Sequence, residues 1–465
     1  MSARRPPRGP QPVNNSAHLR VSAASRPADG TTKPGLILRI HPGDEPAVQA
    51  HDGAASLELG APIVENTAFN VGSVAKQITA YLCVRAARDG LLQLDRAVNS
   101  VLPRFRVPGV TVAELIQHHG GIRDAESLLS LAGFRDLDHY TADDLLQLAY
   151  RQNDRAVEPG RFLYSNTGYL LLVEILRHVH DAPLQEIAEQ QVFTPLGMSS
   201  ARFKSDPREV IAGAASSYQP TATGWSHLQR PVTLPGPGSL WCTVDDLDRW
   251  LGHLWHEWQT TPGCPLPLEQ HLSYRPSDHA PFTYGAGLYA DARPGRTAVF
   301  HYGHEQGFSA ATRLTSTGLR IVCLSNHSDI AADHVAASVM ADLARDSGTN
   351  AGQLLSRAVR NQPSPRATAA DDRGSDGEMP HAPIGTYACG EVPGTVRLTH
   401  SGDSLYLWRR GTRDLLTATG PTTYTADGYT LTLPTKPTGR TEARFDGFVL
   451  DLDRAPGLHY HRCPD

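Results

Sequence analysis

Apolar positions follow one period at the start of the chain, a second through its middle, and return to the first toward the end. Gly35 to Ile40 is apolar apart from Arg39 and predicts a strand. Pro42-Gly43-Asp44 is a turn, and Ala47 to Ala50 can return antiparallel. From Ser73 to Asp89 there is neither Pro nor Gly, and Ile78, Leu82 and Ala86 recur at helical spacing, with Gly90 placed to end the helix. Further helices start at readable caps. Thr111-x-x-Glu114 is a capping box whose helix should stop at Gly120-Gly121, and Thr141 to Asp144 opens a run of leucines. Gly168 to His180 is apolar and helical. Thr243-x-x-Asp246 precedes Leu247, Trp250, Leu251, Leu254 and Trp258, an aromatic stripe that reads as core. Strands then return: Thr297 to His301, and a hairpin of Ala310 to Thr315 with Leu319 to Ser325, before a helix from Ala331 to Ala344. Strands at both ends with helices between them predict an α+β unit, one antiparallel sheet flanked by helices.

The period disappears on both sides of this unit. Residues 1–32 are polar and Pro-rich and read as a disordered tail. Residues 347–382 are rich in Pro, Ser, Asp and Arg and read as a linker. From 383 to 465 short alternating runs return (Val396 and Leu398, Leu405 and Leu407, Thr430 to Leu433, Phe448 to Leu452), predicting a small all-β, barrel-like domain.

Composition narrows the partners. The chain has 465 residues and a net charge of −5, with no broad basic field, which argues against nucleic acid. No apolar run approaches the ~18 residues of a membrane span. No apolar segment follows Arg4-Arg5 as a secretory signal requires, so a cytoplasmic protein is expected. The six cysteines are scattered without a CxxC and read as buried thiols rather than as a zinc site or disulfide framework. His118 and His119 are adjacent, and neighbours on a helix do not face one ion, so no metal is expected.

Three short patterns carry chemistry. Ser73-Val74-Ala75-Lys76 puts a hydroxyl and an amine one turn apart on one helix face, where a lysine pushed toward neutrality can accept the serine proton. By itself this pattern is weak, but Lys76 is one of only four lysines, with Lys33, Lys204 and Lys436. Tyr164-Ser165-Asn166, on an expected extended loop, would turn a phenol and an amide to the same side, one to relay a proton and the other to bind a substrate carbonyl. His301-Tyr302-Gly303 lies on a late strand. Gly303 would let a substrate backbone lie close, and the amide of His304 could form an oxyanion hole with that of Ser73.

Taken in order, S-x-x-K, Y-x-N and H-x-G resemble the serine β-lactamase and penicillin-binding-protein superfamily, in the branch of class C β-lactamases, DD-peptidases, D-aminopeptidases and esterases. The resemblance spans residues 33–346 and includes Leu91 to Asp95, His119 to Asp124, Pro195 to Met198 and Gly307-Phe308. It implies Ser73 as the acylated nucleophile, Lys76 as its base and Tyr164 as proton shuttle. Asn166, His301, Gly303 and His304 would line the substrate site, with no cofactor. The segment after the linker is similar to the lipocalin-like appendage of D-aminopeptidases and penicillin-binding-protein-type peptide cyclases. The implied activity is acyl transfer from a small ester, amide or peptide, D-residue peptides included, to water. An amine acceptor, as in a transacylase or cyclase, is the alternative. An α/β-hydrolase would need a G-x-S-x-G elbow, which the chain lacks. A non-catalytic binding module of the same fold would have lost Ser73, Lys76 or Tyr164.

Overall fold

The computed structural model describes residues 32–464 except 135–137, 229, 262, 294–296, 346–352, 355, 358–383, 403 and 435–446. The expected tail, all but Thr32, and most of the expected linker lie outside the described residues. Within that linker, Leu354 is in a helical segment and buried against the core, where an unstructured connection was expected.

Eight antiparallel strands form the central sheet, in the order Arg275–Pro276, Thr283–Gly285, Leu288–Asp291, Ala298–Glu305, Phe308–Thr315, Arg320–Ser325, Leu36–His41 and Val48–Asp52. The two chain ends meet where Leu36–His41 pairs with Arg320–Ser325, Leu38 opposite Cys323. Both faces of this pair are covered, which explains why the two strands are apolar on both sides apart from Arg39 and their ends. Ile37, Val322 and Leu324 share one core with Trp250 and Leu251 of helix Val244–Thr260. Leu36, Leu38, Ile40 and Cys323 share another with Val335, Ala336 and Val339 of helix Ala332–Arg345. The tryptophan stripe is core, as its spacing implies: Trp250 and Trp258 are buried.

All three Thr-x-x-acid boxes form, at Thr111, Thr141 and Thr243. Three helix boundaries differ from expectation near the site. The helix capped by Thr111 ends at Ile116, short of Gly120-Gly121, so His118 and His119 lie beyond it. The helix expected from Ser73 begins as a 3-10 turn, Gly72–Ala75, and becomes α-helical at Lys76–Arg88. Asn166 is not on an extended loop. It is the first residue of helix Asn166–His180, because the Ser165 hydroxyl caps the amide of Gly168.

From Gly385 to Arg462 eight strands close into a barrel, sealed where Tyr387 pairs with Arg462. Its inward positions alternate along each strand, with Val396, Leu398, Leu405, Leu407, Leu450, Leu458 and Tyr460 buried. The barrel docks on residues 123–134. Arg123 donates to the carbonyls of Pro456 (2.8 Å) and Gly457 (3.2 Å) and pairs with Glu391 at 3.1 Å. The Arg410 guanidinium lies 4.4 Å from the centre of the Phe134 ring. Among the described residues no helix is long and apolar enough to cross a membrane.

Candidate active site

Three of the residues expected from sequence, Ser73, Asn166 and Tyr164, converge on one atom of a fourth, Nζ of Lys76. It donates to Ser73 Oγ (2.9 Å), Asn166 Oδ1 (2.8 Å) and the carbonyl of Pro237 (2.7 Å). It also lies 4.9 Å from the centre of the Tyr164 ring. The 3-10 turn aligns Ser73 with Lys76 because side chains three apart eclipse at three residues per turn. Asn166 arrives because Asp124, capping helix Ala125–Leu131, also accepts the Asn166 amide at 2.7 Å. The loop that carries the Pro237 carbonyl is held two residues on, where Ser239 donates from its amide and its hydroxyl to Glu305, each at 2.8 Å.

Lys76 has no solvent exposure. Burial, helped by the positive charge of Arg454, pulls its pKa down to about 7. At that value ammonium and amine are both accessible near neutral pH. The amine can keep its donations to Asn166 and Pro237 while its lone pair faces Ser73. Burial pushes the Tyr164 phenol well above its ordinary range, opposed by a hydrogen bond with Ser73 and by the Arg454 charge. The phenol is therefore neutral and able to pass a proton.

Gly303 leaves no space for a side chain. An added Cβ would stand 2.1 Å from the Val71 carbonyl oxygen and 2.7 Å from the Ser73 nitrogen. Its absence lets strand Ala298–Glu305 press against the turn that carries Ser73, whereas contact with a substrate backbone was expected. The same approach brings the His304 amide beside Gly72, whose added Cβ would lie 3.1 Å from it. His304 itself lines the cleft with Ser73. His301 differs from expectation: it is buried, and neither ring nitrogen is free. Nε2 pairs with the Tyr284 hydroxyl at 3.0 Å and Nδ1 with the Tyr302 carbonyl at 2.7 Å. Burial and the Lys76 charge lower its pKa to about 3, so it brings no cation to the site.

Two groups escaped sequence reasoning. Glu126 stands on the wall of the cleft, a cavity of about 380 Å³ that also takes in Ser73, Asn166, Tyr140 and His304. It accepts from Asn166 Nδ2 at 2.9 Å and from the Tyr140 hydroxyl at 3.3 Å. Burial and the charge of Asp124 raise its pKa to about 7. Arg454 comes from the barrel, in the turn between strands Gly447–Leu452 and Ala455–Arg462, and its guanidinium lies 4.8 Å from the centre of the Tyr164 ring. Glu126 follows the quoted run ending at Asp124 by two residues and could have been suspected. Nothing local marks Arg454. No group of three potential metal ligands occurs among the described residues.

An antiparallel sheet backed by helices, with a serine and a buried lysine one turn apart facing a tyrosine, is an arrangement of the S-x-x-K kind. Residues 24–346 match the family described as Beta-lactamase, and the chain belongs to that family. A D-aminopeptidase from Gluconobacter oxydans is 24% identical over 316 residues, covering 67% of this chain and 59% of the relative. The chain thus spans less than two thirds of that relative's length. Penicillin-binding protein 4* of Bacillus subtilis is 26% identical over 174 residues, 36% of this chain and 37% of its own. Among solved structures, the octameric penicillin-binding protein homologue of Pyrococcus abyssi aligns over 92% of this chain and 95% of its own, at a TM-score of 0.58 and 21% identity. The D-amino acid amidase of Ochrobactrum anthropi SV3 aligns over 64% of this chain and 87% of its own, at a TM-score of 0.52 and 20% identity. These two share the fold.

Proposed function

We propose that this protein is a serine hydrolase that cleaves amides or short peptides bearing a free N-terminal ammonium, through an acyl-enzyme on Ser73. The observation that carries the reading is the buried Lys76 with its 2.9 Å contact to Ser73 Oγ and a pKa near neutrality. Ser73 Oγ attacks the substrate carbonyl carbon as its proton passes to the Lys76–Tyr164 pair. The amides of Ser73 and His304 take the negative charge that develops on the carbonyl oxygen. Tyr164 returns the proton to the departing amine as the C–N bond breaks. Water then attacks the ester carbon, gives its proton to the same pair, and the carboxylic acid leaves with Ser73 restored.

Glu126 supports the choice of substrate. A carboxylate on the cleft wall beside Asn166 matches a substrate ammonium next to the scissile carbonyl, and the bound cation would draw Glu126 back to its ionised form. D-configuration is supported by the relatives named D-aminopeptidase.

The test is turnover of D- and L-aminoacyl p-nitroanilides, p-nitrophenyl esters and nitrocefin, with intact-mass trapping of the adduct. The expected result is preference for D-aminoacyl amides and one acyl group on Ser73. Lack of any adduct across the panel would reject the hydrolase reading in favour of a binding module.

A further inference from the structure

The reaction outlined above gives no role to the adjacent histidines. His119 is turned away, with Nδ1 on the Gln117 carbonyl at 2.8 Å. His118 is placed differently. Its backbone is left-handed, φ 59°, a conformation that residues with a side chain rarely adopt, and it follows directly on the helix Val112–Ile116 and its cap Gln117. Its ring is buried.

Three of its contacts fall on one short segment. The His118 carbonyl accepts the Leu163 amide at 2.7 Å. Its Nδ1 accepts the Ser165 amide at 3.2 Å. Its ring centre lies 4.2 Å from that of Tyr164, the planes tilted by 33°. With Nδ1 accepting, the neutral ring carries its proton on Nε2, and that atom has no hydrogen-bond partner among the described residues. Aromatic rings enclose it: Tyr284 at 4.9 Å, Tyr169 at 5.1 Å and Phe162 at 5.6 Å between centres. An unpaired buried donor disfavours histidine here, and such a feature persists where the surroundings over-determine it.

We propose that His118 is a positioning residue for Tyr164: its carbonyl and Nδ1 pin the amides on either side of the tyrosine, and its ring sets the plane in which the phenol meets Ser73. The inference rests on the reading of Tyr164 as the proton carrier. Each part of the residue has a separate task. Phenylalanine would keep a ring and lose the Nδ1 acceptor. Asparagine would keep a side-chain acceptor, tolerate the left-handed backbone and lose the ring.

The test compares His118→Phe, His118→Asn, Tyr164→Phe and the His118→Phe/Tyr164→Phe double variant in the full-length protein. Phosphonylation of Ser73 by a fluorophosphonate, with fluoride leaving, is followed with kcat and KM on an aminoacyl p-nitroanilide, and Tm is recorded for each variant. His118→Phe should lower kcat about 10- to 100-fold, as a misplaced catalytic group does, with KM nearly unchanged. His118→Asn should recover part of that loss, and it carries the test if His118→Phe does not fold. The double variant should be no slower than Tyr164→Phe alone, because His118 acts through the tyrosine. Full activity in both His118 variants, with Tyr164→Phe impaired, would overturn the positioning role and leave the Tyr164 reading intact. Full activity in Tyr164→Phe would overturn that reading and this one with it. Losses that multiply in the double variant would show His118 acting independently and would also overturn it.

Discussion

The amide of Asp124 donates to the carbonyl of Arg454 at 2.8 Å, joining the barrel hairpin to the residue that holds Asn166 in place. One side chain, Asp124, thus caps a helix and orients a Lys76 partner, while its own amide fixes the turn that carries Arg454 over Tyr164. The barrel therefore contributes a cation to a site where His301, on the neighbouring strand, is buried and neutral.

Ser73→Ala should abolish covalent labelling and lower turnover by about 10⁴-fold or more, as loss of a nucleophile does elsewhere, without loss of fold. Peptide mass spectrometry of the labelled wild-type protein checks the assignment. Label on any other residue would refute it.

The pH profile of kcat/KM should rise through about 7 as Lys76 and Glu126 both lose their protons, and fall again as the substrate ammonium loses its own at about 8. Burial and Arg454 both lower the Lys76 pKa by disfavouring its ammonium. Removing the guanidinium with Arg454→Ala should therefore move the rising limb to higher pH. A limb that stays in place would mean that the barrel hairpin exerts no field at Lys76.

Glu126→Gln should raise KM for free-amine substrates by about 10- to 100-fold, the scale of one lost charge-assisted contact. Substrates with an acetylated amine, poor for the wild type, should be affected little. Parallel kinetics on the two substrate forms separate an ammonium site from a general defect, which would slow both equally.

Gly303→Ala should lower Tm and suppress acylation. Its methyl would meet backbone at Val71 and Ser73, which cannot rotate away, and overpacking of this kind costs about 1–3 kcal/mol. A wild-type melting curve would show that the strand and the nucleophile turn can separate freely.

Much of the site was legible because its parts are local. The Ser73–Lys76 spacing, the Thr-x-x-acid caps and the alternation of the late strands each depend on neighbours a few residues away, and such patterns survive in one dimension. The helix start at Asn166 was missed because the Ser165 cap competes with an equally plausible extended reading. His301 was expected in the cleft because H-x-G resembles the family's motif on the strand beside the site. The motif cannot report that Tyr284 and the Tyr302 carbonyl already occupy both ring nitrogens.

By itself the sequence determined the α+β class, the all-β character of the segment after the linker, and the pairing of a serine with a lysine on one turn, since all three follow from periodicity and spacing. Only the tertiary structure decided that Lys76 is wholly buried and poised near neutrality, that Glu126 faces the cleft, and that Arg454 reaches Tyr164 from 290 positions further along the chain. Burial and electric field are properties of what surrounds a group in space, and here those surroundings come from strands, loops and a barrel hairpin that no local pattern connects.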